Sequence, residues 1–110
     1  MSKARFEIEQ IIQTFKSVLV GQGIRVEKVI LFGSHAKGTA GQHSDIDLIV
    51  ISPDFASMDF KHRCRVLGKA IAKVMQPIEP LAFTPEEFEN VSPFNIASIV
   101  TRKQNEYVVI

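Results

Sequence analysis

Asp45 and Asp47 stand two residues apart at the head of the apolar run Ile46-Asp47-Leu48-Ile49-Val50. Residues two apart in a β-strand point to the same face. Both carboxylates therefore project together, with Ile46, Leu48 and Val50 on the opposite face. Carboxylates crowded onto one face repel each other and lose hydration. A hard divalent cation with oxygen ligands compensates, and Mg²⁺ is commonly held by one or two carboxylates together with substrate phosphates. Upstream lies Leu31-Phe32-Gly33-Ser34-His35-Ala36-Lys37-Gly38, a Gly-Ser turn closing another apolar run. Gly33 allows close backbone approach, and Ser34 can cap a short helix whose free N–H groups favour a phosphate. A phosphate cradle beside metal-binding carboxylates is the chemistry of a nucleotide-handling enzyme.

Gly33-Ser34, a ten-residue spacer and Ser44-Asp45-Ile46-Asp47-Leu48 together resemble the signature of the DNA polymerase β-like nucleotidyltransferase superfamily, in the form of its small prokaryotic branch, the minimal nucleotidyltransferases. The resemblance covers roughly residues 24–90. It implies an α+β fold, a mixed sheet with packed helices. It also implies an acidic residue on a neighbouring strand completing the metal site, and Glu79 stands where aspartate is commoner. The expected site is then Asp45, Asp47 and Glu79 as catalytic and metal-binding carboxylates, with Gly33 and Ser34 on the phosphates. Lys37, one helical turn beyond Ser34, can bring its ammonium to a phosphate, and Ser44 can touch one or cap its loop. The expected reaction is Mg²⁺-dependent transfer of a nucleoside monophosphate, AMP from ATP, to a hydroxyl.

The small branch is typically encoded beside a HEPN-domain protein and acts as the antitoxin of a toxin–antitoxin pair, in some cases by adding AMP to its partner. The resemblance therefore implies a HEPN-domain partner. The alternative is a non-catalytic nucleotide- or partner-binding module that masks such a toxin, a reading kept open by glutamate at position 79. His35 and His43 flank the site, yet no His or Cys pair has zinc spacing.

The elements that must position these residues follow from periodicity. Ile8, Ile11, Ile12, Phe15, Val18 and Leu19 predict an amphipathic helix over 4–20, ended by Gly21 and Gly23. Residues 25–32 form a first strand, 35–44 a helical turn and polar loop, and 46–51 a second strand. Ser52-Pro53-Asp54 is a turn. A second helix runs over 60–75 with Phe60, Cys64, Leu67, Ile71 and Val74 as its apolar face, which buries Cys64. Ile78–Phe83 is a third strand, and Thr84-Pro85-Glu86-Glu87 opens a helix with a capping box. A short helix follows Ser92-Pro93, and Tyr107 to Ile110 form a last strand.

A length of 110 residues implies a single domain over 1–110. Hydrophobic residues are 45% of the chain, against disorder, and a net charge of +1 gives no global case for nucleic acid. The single Cys64 fits a reducing compartment. With no signal-peptide core and no run near the ~20 residues of a membrane span, a cytoplasmic protein is expected. Lys61, Arg65, Lys69 and Lys73 repeat every four residues, a solvated face that could also meet an acidic partner or RNA. So short a chain leaves helix faces, notably that of 4–20, available for a homo- or hetero-oligomer.

Overall fold

Ile8, Ile12, Phe15 and Leu19 make one apolar stripe along helix α1, Arg5–Gly21, and all four are buried. A computed structural model describes residues 5–33, 45–90 and 108–110. The stop after α1 is a Schellman motif. The Ile24 N–H donates to the Leu19 carbonyl at 3.1 Å and the Gly23 N–H to that of Val20 at 3.0 Å. Gly23 takes the left-handed φ of +91° that this geometry requires. The chain then runs through strand β1 (Lys28–Phe32), strand β2 (Ile46–Ile51), a 3₁₀ turn (Pro53–Ser57), helix α2 (Phe60–Val74), strand β3 (Ile78–Phe83), helix α3 (Pro85–Glu89) and strand β4 (Val108–Val109).

The sheet order is β3-β2-β1-β4, with β1 antiparallel to β2 and β4, and β2 parallel to β3. This is the expected mixed α+β sheet. The parallel pair is joined through α2, whose Leu67 and Ala70 share the main core with α1. Val29, Leu31, Ile46, Leu48, Val50 and Ile78 complete that core from the sheet. Ile30, Ile49 and Ile51 lie on the other face, packed by Phe32, Leu81, Phe83 and Phe88. Strand β2 is therefore apolar on both faces except at Asp47.

Two boundaries and the rotation of one helix differ from expectation. Strand β1 begins at Lys28 rather than Arg25, because Arg25 is taken by Asp54: its N–H donates to Oδ2 at 2.7 Å and its Nη2 to Oδ1 at 3.2 Å. Helix α2 ends at Val74, with Met75 at φ +58° as the left-handed cap. Cys64, expected in the core, is exposed, as is Phe60 at 80%. The buried arc of α2 is rotated toward Leu67, Ala70 and the largely buried Arg63, which leaves Phe60 and Cys64 at its margin.

Strand β3 is an outer strand of the described sheet, and it begins and ends as the sequence indicates. The Pro77 and Phe83 carbonyls accept from Ile46 and Ser52, so the odd-numbered residues of β3 turn their peptide groups toward β2. Pro80, which lacks an N–H, falls on the outward-facing set. The capping box at Thr84 is present: the Glu87 N–H donates to Thr84 Oγ1 at 3.0 Å and the Thr84 N–H to Glu87 Oε1 at 2.8 Å. Among the described residues no helix is long and apolar enough to cross a membrane. The helical turn expected over 35–44 and the helix after Ser92-Pro93 fall outside the described residues.

Candidate functional site

The β1–β2 register brings Phe32 opposite Asp47, so the turn that follows β1 passes beside the head of β2. Gly33 occupies that turn at φ +74°. A Cβ built there would overlap Asp47 Oδ2 and lie 3.1 Å from the Asp47 carboxyl carbon. The absent side chain thus serves two ends. It permits a left-handed backbone that other residues reach at a cost of about 1–2 kcal/mol, and it opens the volume that the Asp47 carboxylate fills.

Asp47 is half-buried and lies on the face opposite Ile46, Leu48 and Val50, as alternation predicts. Asp45 is exposed immediately before the strand. Its neighbour is anchored by the Ile46 N–H, which donates to the Pro77 carbonyl at 2.7 Å. The same connection sets the parallel register, in which Asp47 pairs with Glu79. Adjacent strands lie about 4.8 Å apart, so the two carboxylates occupy one rung on one face. Glu79 is exposed there. Gly33, Asp45, Asp47 and Glu79 therefore gather at one end of the sheet from three different strands or strand ends. Ser34, Lys37 and Ser44 lie outside the described residues, as do His35 and His43.

The donors gathered here are all carboxylate oxygens, the set that suits Mg²⁺ or Ca²⁺ rather than a softer metal. Among the described residues, however, no group of three or more His, Cys, Asp or Glu side chains is placed to hold a metal ion as it stands. Mg²⁺ seldom occupies an all-protein cage, and substrate phosphates commonly supply part of its shell. The donor chemistry and the room kept by Gly33 fit such a shared site.

A cleft of about 490 Å³ runs between α2 and β3, bordered by Met58, Phe60, Leu67, Leu81 and Phe83. None of Gly33, Asp45, Asp47 and Glu79 lines it. At its edge stands the most connected side chain that periodicity did not single out. Arg63 donates to the Phe55 carbonyl from Nε at 3.0 Å and from Nη2 at 2.7 Å, and forks onto Glu87 at 2.7 and 3.1 Å. Its guanidinium lies 5.7 Å from the centre of the Phe55 ring. The Arg63 bonds, against a smaller opposing effect of burial, hold the Glu87 carboxyl below the usual range. The available signal was a cation out of step with the stripe at 61, 65, 69 and 73, on the arc shared with Val66 and Ala70. A charge on a buried arc needs a partner.

The family model described as a nucleotidyltransferase domain matches residues 8–105. A Methanocaldococcus jannaschii chain named as a putative protein adenylyltransferase is 30% identical over 81 residues, 74% of each chain. A Sulfolobus solfataricus crystal structure described as a putative nucleotidyltransferase superposes with a TM-score of 0.53 at 23% identity, covering 84% of this chain and 86% of that one. A mutant of the toxin–antitoxin pair MntA–HpeT gives 0.55 at 16% identity, covering 86% and 70%. At these identities the two structures establish a shared fold.

Proposed function

Because this chain belongs to the nucleotidyltransferase domain family, we propose that it transfers AMP from ATP to a hydroxyl on a partner protein. The observation that carries the reading is the Gly33–Asp47–Glu79 arrangement, a glycine that makes room for one carboxylate and a register that sets a second beside it. Asp45 and Asp47 would hold Mg²⁺, with Glu79 as the third carboxylate. A bound Mg²⁺ would offset the charge of the triphosphate and of the displaced pyrophosphate. Ser34 and Lys37 would bind the phosphates, and Ser44 would touch one or cap its loop. Glu79 takes the proton of the acceptor hydroxyl on a carboxylate oxygen as the new O–P bond forms at the α-phosphorus and the bond to pyrophosphate breaks.

The protein acceptor is supported by the name of the M. jannaschii relative, a protein adenylyltransferase. The toxin–antitoxin pair among the structures of the same fold supports an antitoxin with a protein partner, and the reading takes that partner to be HEPN-type and the setting to be the cytoplasm. The test is label transfer from ATP labelled at the α-phosphate, with Mg²⁺ and a lysate of the source. The expected result is a protease-sensitive labelled band, absent with an Asp45→Asn/Asp47→Asn variant. No label above that control, with the partner present and bound, would favour the masking module. One feature favours that second reading: Glu79 stands where the resemblance leads to aspartate.

A further inference from the structure

Charge on this molecule is segregated. Helix α2 carries five of the chain's thirteen Lys and Arg and no Asp or Glu, which leaves eight basic against twelve acidic side chains elsewhere. A near-neutral total hides one strongly basic element. Arg63 is committed to Glu87. Lys61, Arg65, Lys69 and Lys73 are all exposed, and none enters an ion pair among the described residues. The core of α2 lies on the side of Leu67 and Ala70, so the four cations face solvent together. Like charges four apart cost a helix about 0.2–0.5 kcal/mol per pair, and the three pairs here have no internal compensation.

Two further features choose the partner. Three of the four cations are lysine, a residue depleted at protein–protein interfaces and able to meet phosphate as a point charge without the geometric specificity of arginine's fork. Phe60 stands 80% exposed in the first turn of the same helix, about 100° around the axis from Lys61 and toward the cleft beside β3. Basic side chains in a row of about 18 Å with an aromatic ring at its end form the usual combination for single-stranded nucleic acid, where charge tracks the backbone and bases stack. We infer that the outer face of α2 binds the sugar–phosphate backbone of a single-stranded nucleic acid without sequence preference, the strand crossing the start of the helix to stack a base on Phe60. This surface is independent of the transfer chemistry.

The test is fluorescence anisotropy with a fluorescein-labelled 20-nucleotide oligouridylate, its deoxy counterpart, and polyglutamate as competitor. Four phosphate contacts on a single strand give a log–log salt slope of about −2.8, an affinity loss of about 50-fold between 50 and 200 mM salt. The Lys61→Gln/Arg65→Gln/Lys69→Gln/Lys73→Gln variant should lose binding at least about tenfold and flatten that slope. Phe60→Ala should weaken binding about fivefold or more at unchanged slope. Should the quadruple variant fail to unfold cooperatively, Arg65→Gln and Lys69→Gln singly should each reduce the slope by about 0.7. A preference for the ribo- or deoxyoligonucleotide would name the natural strand. No binding at low salt, a slope untouched by the charge variants, or displacement by polyglutamate as effective as by oligonucleotide would overturn the inference, the last assigning the face to an acidic protein. The charge variants leave Asp45, Asp47 and Glu79 in place, and Asp47→Asn leaves α2 in place, so label transfer and strand binding fail separately.

Discussion

Gly33 and Asp47 are one structural unit, because the space that one omits is the space that the other fills. Gly33→Ala should therefore do two separable things. The left-handed turn should cost about 1–2 kcal/mol in a urea melt. Displacement of the Asp47 carboxylate should lower AMP transfer by more than that stability loss explains. Asp47→Asn keeps the shape and removes the charge, so transfer should fall by about 10²–10³-fold or more, measured on the folded fraction of the variant. Activity near wild type in that variant would remove Asp47 from the chemistry. The types and spacing of Gly33, Asp45 and Asp47 were legible in the chain because period-two alternation fixes a face. The contact between Gly33 and Asp47 was not, since it follows from an antiparallel register set by residues on both strands. The place of Glu79 on Asp47's rung was legible only through the family resemblance, because nothing local fixes a parallel register.

At the level of elements, strands β2 and β3 and the capping box at Thr84 were readable because turn and cap chemistry is local. Helix α2 was readable in extent but not in rotation. Its apolar residues nominate an arc through Phe60 and Cys64, whereas packing turned the helix toward Arg63, whose charge is met by Glu87 and three backbone carbonyls. Arg63→Ala would strand these acceptors and should destabilise the fold by about 2–4 kcal/mol, and Arg63→Lys should not restore it, lacking the planar fork. The same pair sets an acid dependence. Glu87 titrates lower in the folded state than in the unfolded chain, so at intermediate pH the unfolded state binds more protons and stability rises with pH. The contribution is complete above the ordinary glutamate range, near pH 4.3, and is lost as pH falls through the lowered folded value. Glu87→Gln should flatten the acid limb of a stability–pH curve measured by urea melts. Asp54, held low chiefly by the Arg25 N–H, acts in the same direction.

Over the whole molecule, the segregation of charge onto α2 was present in the spacing of Lys61, Arg65, Lys69 and Lys73, but its exposure needed the fold. If that face is kept for a ligand, its removal should help the fold alone. Lys69→Gln relieves two like-charge pairs and should stabilise by roughly 0.4–1 kcal/mol at low salt, a gain that salt erases. A loss of stability would mean that the stripe serves the fold.

The outer margin of β3 bears on how any second protein can be met. A bare strand edge invites another chain to continue the sheet, in productive pairing or in aggregation. Here Pro80 withholds a donor, and Arg63 Nη1 already reaches the Ala82 carbonyl at 3.5 Å. At the opposite margin, the described part of β4 is Val108–Val109. Strand addition is discouraged at the β3 side of the described sheet. There recognition is left to side chains on helices and loops, and that edge of a folded copy remains a poor template for its neighbours at high concentration.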